Sequence, residues 1–188
     1  KMLPRTSYAA SDIDPLYLDY LGNRFANYSA VDILRVDLEN DAHFDAVAGC
    51  FDTVLCLNVL EHVAQSDRAV RNMYRALEPG GFAIILVPQG QWLYGSLDRV
   101  LDHVKRYNRT DLADTCRRAG FEIDRLLSFN RTGVLPWFLN ARILRRKHFG
   151  KLQLKFFDSM VWFWRIADRF LPFHGLSVIC IARKPMAD

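Results

Sequence analysis

The stretch FDTVLCLNVLEHV, Phe51 to Val63, decides the fold. Thr53 to Asn58 is short, mostly apolar and β-compatible, without the polar alternation of a half-exposed strand, as expected of a parallel strand buried on both faces. The run breaks at Asn58 into a polar turn that opens a helix. Open α/β sheets bind their ligands at the carboxyl ends of such strands, so Asn58 to His62 stands where chemistry is expected.

Working outward, strands and helices alternate. Ser7 to Ser11 reads as a short buried strand ending at Asp12, and Pro15 opens a helix to about Phe25. Val31 to Val36 is a second strand, ending at Asp37. Beyond the decisive stretch, Ser66 is placed to cap a helix whose apolar residues Val70, Met73, Tyr74 and Leu77 share one face before Pro79-Gly80-Gly81 stops it. Phe82 to Val87 is apolar throughout. Thr110 is placed to cap the next helix, with Leu112, Cys116 and Ala119 on one face and Gly120 as its stop, and strands follow at Phe121 to Leu127 and Leu176 to Ala182. This order implies an α/β domain with a largely parallel, doubly wound sheet covered on both faces.

Composition agrees and narrows the function classes. A chain of 188 residues with 51% hydrophobic content supports one well-buried core and gives no sign of disorder. Its longest apolar run, Phe82 to Val87, is far short of the roughly 20 residues of a membrane-spanning helix, and the N-terminus lacks a signal-peptide core, so a cytoplasmic or peripheral protein is expected. Cys50, Cys56, Cys116 and Cys180 form no C-x-x-C pair and lie at no zinc-ligand spacing from a histidine, which makes them buried reduced thiols. Charge is uneven. Arg131 to His174 holds nine lysines and arginines against Asp158 and Asp168, whereas the remainder is mildly acidic. That segment suits an anionic partner or surface.

Asn58-Val59-Leu60-Glu61-His62 resembles the turn after the fourth strand of class I S-adenosylmethionine (SAM)-dependent methyltransferases. The sequence PGG before FAIILVP resembles their turn into the fifth strand, and AGF before EIDRLLS their approach to the sixth. The resemblance covers about Tyr8 to Phe129 and the last strand. It implies a Rossmann-like sheet, parallel except for an antiparallel last strand, and SAM as cofactor. Methyl transfer from a sulfonium needs no metal.

Residue by residue, the resemblance implies that Asp12, with Ile13 beside it, accepts from two ribose hydroxyls, a task for which a carboxylate has acceptor sites enough. A helix-entry acid is the other reading, and Asp14 fits that one better. Asp37, beside Leu38, matches the acid that accepts from the adenine amino group, although an aspartate at a strand end also forms turns. Asn58, Val59 and Glu61 border the methionine end of the cofactor. Glu61 and His62 equally suit bracing the next helix. Gln89, Trp92 and Tyr94 form a substrate-pocket rim or pack in the core, with His62 and Tyr107 as further pocket candidates. His103 takes a proton from a hydroxyl acceptor, or is a surface histidine that packs. The Pro-Pro tetrapeptides of amino-directed nucleic-acid methyltransferases are absent after the fourth strand, which favours a small molecule or lipid-linked glycan methylated on oxygen; nucleic acid is the weaker option.

Two features depart from the family plan. The glycine-rich E-x-G-x-G-x-G turn and the first strand before it are missing, and Lys1 to Arg5 resembles the end of the helix that would follow that turn. That strand belongs between the Ser7 and Thr53 strands, so a truncated chain, or a sheet completed by a partner chain, is expected. The second feature is an insertion, residues 130–174, dividing the methyltransferase-like domain of residues 1–129 and 175–188. Connections that long are rarely unstructured. Pro136 is read as starting one helix and Phe156 to Leu171 as a second, with Phe157, Met160, Val161, Trp164 and Leu171 on one face and Asp158, Trp162, Arg165 and Arg169 on another. Tryptophan among arginines suits an anionic membrane surface or the lipid end of a substrate, and a helical lid or dimer contact is the alternative.

Overall fold

The computed structural model describes residues 6–148 and 150–186. The reading of Lys1 to Arg5 falls outside the described residues. In chain order the regular elements are β1 (Tyr8–Asp12), α1 (Pro15–Phe25), β2 (Val31–Arg35), β3 (Phe51–Leu57), α2 (Ser66–Ala76), β4 (Leu77–Pro88), α3 (Ser96–Val100), α4 (Arg109–Arg118), β5 (Glu122–Phe129), α5 (Val134–Phe138), α6 (Lys151–Ser159), α7 (Val161–Ala167) and β6 (Ser177–Arg183). No helix among the described residues is long and apolar enough to cross a membrane.

The strands form two sheets. One is ordered β3-β4-β6-β5, the other is the pair β1-β2. β3 and β4 run parallel, and β6 lies antiparallel between β4 and β5, so the chain carries the Rossmann-like α/β sheet with one reversed strand. β1 and β2 are parallel in the register Asp12↔Arg35. Among the described residues no strand pairing joins β1 to β3.

The core lies on one side of the larger sheet. Ile85 and Val87 of β4 and Val178, Cys180 and Ala182 of β6 meet Val70 and Met73 of α2 and Leu112 and Cys116 of α4, all essentially inaccessible to solvent. Each such aliphatic side chain contributes about 1.5–3 kcal/mol of burial. The opposite face of β3 is different. Leu55 is 60% and Leu57 48% exposed, against the expectation of a strand buried on both faces. The physical reason is the separation of the two sheets: α1 packs on β1 and β2, and α2 covers only the other side of β3.

Several local expectations also shift. Ser66 is the first helical residue of α2 and makes no cap, because its hydroxyl bonds the Tyr107 phenol at 2.7 Å. Leu77 has left the helix for extended backbone and begins β4, where it is fully buried. Asn108, not Thr110, precedes α4, and the Asp111 carboxylate accepts from its side-chain amide at 3.0 Å. Cys50 is exposed, while Cys56, Cys116 and Cys180 are buried thiols. In residues 130–174, α5 starts at Val134 and keeps Pro136 within its first turn, where a missing N–H costs nothing. A π-helical turn, Leu139–Ile143, continues it. The second helix is broken at Met160 into α6 and α7.

Candidate functional site

The polar residues of interest gather at the carboxyl ends of the strands. β3 ends in Asn58, whose backbone takes φ 54°, a left-handed conformation that asparagine tolerates better than most residues, and whose N–H donates to Leu86 O at 2.9 Å. That turn throws Asn58 and Val59 outward, both exposed, and brings Leu60 and Glu61 inward. Glu61 is 1% exposed, and its Oε2 has no hydrogen-bond partner. Burial pushes the Glu61 carboxyl above the usual range, only partly offset by a backbone bond and the nearby His103, His62 and Arg106.

His103 approaches from the loop after α3. Its Nδ1 lies 3.0 Å from Asp98 Oδ1 and its Nε2 4.0 Å from Glu61 Oε1. Its ring meets that of His62 edge-on, with centroids 4.9 Å apart. Asp98 is fully buried yet well supplied: Arg106 Nε donates to it at 2.7 Å and Gly95 N at 2.9 Å. Burial raises the Asp98 carboxyl, but the His103 bond, the Arg106 charge and the Gly95 amide outweigh it and hold the group below the usual carboxylate range. Arg106 also donates to Gln89 O at 3.0 Å and lies 4.5 Å from the Trp137 ring centroid. Gly95 is required by packing, since a Cβ there would stand 2.5 Å from Ala141 O in the π-helical turn. The start of the 130–174 segment thus rests on the loop that carries Asp98.

The other residues singled out by sequence divide into three groups. Asp12 and Asp37 stand at adjacent strand ends, tied by the Val36 N–H to Asp12 O bond of 3.1 Å. In each carboxylate Oδ1 accepts the amide two residues on, Asp14 N and Glu39 N, both at 2.9 Å, and Oδ2 takes no bond from a described residue. Ile13 is exposed beside Asp12, while Leu38 packs on the core and accepts from Asn72 Nδ2 at 3.0 Å. Trp92 is exposed and tilts against Phe138 at 5.7 Å, half-buried Tyr94 donates to His103 O at 2.8 Å, and His62 is exposed. Gln89 and Tyr107 lie inside. Gln89 Oε1 accepts from Ser128 at 2.8 Å, and the Tyr107 phenol meets Ser66 and Leu60 O. Burial pushes that phenol's pKa up to about 12 against the opposing effect of the Ser66 bond. Tyr107 is almost wholly buried and packs with the core.

Asp98 and Arg106 were not singled out by sequence. Asp98 sits in the first turn of α3, where an acid reads as a helix-start residue, and Asp102 lies nearer to His103 in sequence, so spacing alone does not separate the two.

A family model described as a methyltransferase domain matches residues 12–126. The chain belongs to that family. "Methyltransferase calH" of Penicillium decumbens is 31% identical over 91 residues, 47% of this chain and 25% of that protein. The highly reducing polyketide synthase sthA of Phaeosphaeria nodorum is 30% identical over 81 residues, 42% of this chain and 3% of that one. The aligned part thus spans a quarter or less of these curated relatives. Among solved structures, CalH in complex with SAH superposes with a TM-score of 0.60 at 18% identity, covering 95% of this chain and 42% of that one. An S-adenosylmethionine-dependent methyltransferase from Mesorhizobium loti gives 0.61 at 14%, covering 95% and 81%. The [4+2]-cyclase SpnF gives 0.60 at 19%, covering 96% and 68%. At these identities the likeness is one of fold, and the cyclase among the neighbours marks how far fold alone underdetermines chemistry.

Proposed function

We propose that this chain is the catalytic domain of a SAM-dependent methyltransferase acting on an oxygen of a small metabolite, a glycan or a lipid-linked sugar. The observation that carries the reading is the placement of Asp12, Asp37 and the Asn58 turn each at the carboxyl end of a parallel strand, within the stretch that the methyltransferase-domain model matches. When bound, SAM supplies a methyl group already activated on a sulfonium, so the protein's task is to hold the acceptor in line. Asp12 binds the ribose hydroxyls and Asp37 the adenine amino group, flanked by Ile13 and Leu38. Asn58, Val59 and Glu61 border the methionine end. His103, with Nδ1 committed to Asp98, presents Nε2 to the acceptor hydroxyl and takes its proton as the oxygen–carbon bond forms and the carbon–sulfur bond breaks. Trp92, Tyr94 and His62 form the acceptor rim.

A lipid-linked acceptor draws support from the 130–174 segment. A cavity of about 730 Å³ lies between α5 and α6–α7, walled by Phe129, Trp137, Leu154, Phe157 and Trp164 with Arg165 and Arg169 nearby. The same reading calls for a strand to enter between β1 and β3, from a second copy or from sequence outside these 188 residues, to bring the two acids and the histidines into one cleft.

Titration calorimetry with SAM and then with NADH tests the reading. Saturable SAM binding, weakened at least tenfold by Asp12→Ala, supports it, whereas NADH binding in place of SAM overturns it. A non-catalytic module is the second reading, favoured by one observation: Trp162, Phe163, Ile166 and Phe170 of the α7 region are exposed beside Arg165 and Arg169. Sedimentation with vesicles that depends on anionic lipid, without any SAM binding, would favour that module.

A further inference from the structure

Glu61, His62 and His103 come together in a way that the methyl-transfer reading does not require. One ligand atom from each lies within 4.8 Å of the others. The His62 ring holds Asp102 O through Nδ1 at 3.2 Å, and the His103 ring holds Asp98 through Nδ1 at 3.0 Å. With Nδ1 of each ring engaged, Nε2 is the nitrogen that each leaves for a ligand. Metal-bound histidines are characteristically oriented in this manner, one ring nitrogen on a carboxylate or backbone carbonyl and the other on the ion. Glu61 Oε1 lies 4.0 Å from His103 Nε2, and the other carboxylate oxygen, Oε2, is buried with no hydrogen-bond partner among the described residues. A buried carboxylate oxygen without a partner is rare and costly, and it requires an explanation.

We propose that Glu61, His62 and His103 bind a single divalent first-row transition-metal ion, zinc by ligand preference, with a position left open to solvent. The donor set excludes the hard ions as best fits: calcium and magnesium prefer all-oxygen shells, whereas two imidazoles and a carboxylate suit zinc and its neighbours. Three protein ligands with an open fourth position is the arrangement of a reactive zinc site and not of a structural one. Bonds of about 2.1 Å would bring tetrahedral donors to about 3.4 Å apart, so the site closes on the ion by small side-chain turns. The exposed His62 ring is the part with room to make them.

A bound ion would engage His103 Nε2, so the metal-loaded chain would not use that nitrogen as the base. The binding itself does not rest on the methyltransferase reading.

The experiment is a Co²⁺ titration of the chelator-treated full chain, followed by visible d–d absorption and by calorimetry, with Zn²⁺ as competitor. Saturable binding at one equivalent, displaced by Zn²⁺, is expected. His62→Ala, which removes an exposed ring, and the isosteric Glu61→Gln should each weaken it at least tenfold, while His174→Ala leaves it unchanged. Should Glu61→Gln fail to fold by circular dichroism, His62→Ala decides alone. Absence of one-equivalent binding, or wild-type affinity in His62→Ala, overturns the proposal. SAM titration of the metal-free chain is read separately, so loss of the methyltransferase reading and loss of the metal site are distinguishable.

Discussion

The strand-end rim has two halves, and the same parallel β chemistry holds them in different ways. On the β3-β4 side the polar groups rest on a packed core: Asp98, Arg106 and Gln89 are buried beneath His103, and each has named partners. On the β1-β2 side α1 contributes no buried residue, and Asp12 and Asp37 are positioned by turns of their own loops. A polar constellation is only as fixed as the packing under it. The histidine half is preorganised, and the carboxylate half depends on what joins β1 to β3.

The largest effect that tests this contrast belongs to Asp98→Ala. The substitution removes the acceptor for His103 Nδ1, Arg106 Nε and Gly95 N, and leaves the Arg106 charge at 3% exposure without its counter-ion. Breaking such a pair from one side costs about 3–5 kcal/mol, readable as a lowered urea midpoint. A loss below about 1 kcal/mol would show that the histidine half is as loosely held as the other.

A like-for-like pair sharpens the comparison. Ile85 of β4 is fully buried, whereas Ile33 of β2 is only half-buried. Ile85→Ala is expected to cost about 2–5 kcal/mol through lost burial and the cavity left behind. Ile33→Ala, with less area to lose, should cost under about 1 kcal/mol. Equal costs would mean that β1 and β2 are packed by something beyond the contacts described, such as the strand proposed between β1 and β3.

Where the periodicity of the sequence met local rules, the fold was legible. The alternation of strands and helices, the break at Asn58 and the placement of Asp12 and Asp37 at strand ends follow from apolar runs and turn residues close to them in sequence. Caps were less legible, because Ser66 and Thr110 have the right side chains for the role while tertiary partners decide it: the Ser66 hydroxyl is spent on Tyr107, 41 positions away. Tyr107 illustrates the same limit, since the pattern LDHVKRYNR does not reveal that its phenol turns inward to Leu60 O. The pairing of His103 with Asp98, and the meeting of both histidines with Glu61, depends on how the loop after α3 folds back onto the turn after β3 through the Val104 N–H to Glu61 O bond of 2.8 Å. No periodic pattern encodes that contact.

Tyr107 supplies a small effect at neutral pH and a separate one in alkali. Tyr107→Phe removes hydrogen bonds to Ser66 and Leu60 O and should cost about 1 kcal/mol near pH 7. Burial pushes the folded-state pKa from 10.0 up to about 12. Between those values the unfolded chain has released the proton and the folded chain still holds it. The folded state therefore binds more protons, and stability falls as pH rises through the window. A two-unit difference corresponds to about 3 kcal/mol lost between pH 10 and 12, and the phenylalanine variant lacks this loss. Cys56, pushed from 9.0 to about 12 by burial, declines in the same sense in both proteins and so sets a shared background slope. Urea midpoints of wild type and variant should accordingly converge or cross as pH rises through this window. Parallel curves would mean that the Tyr107 phenol is already open to water, and that the histidine half of the rim lacks the dry floor on which its preorganisation depends.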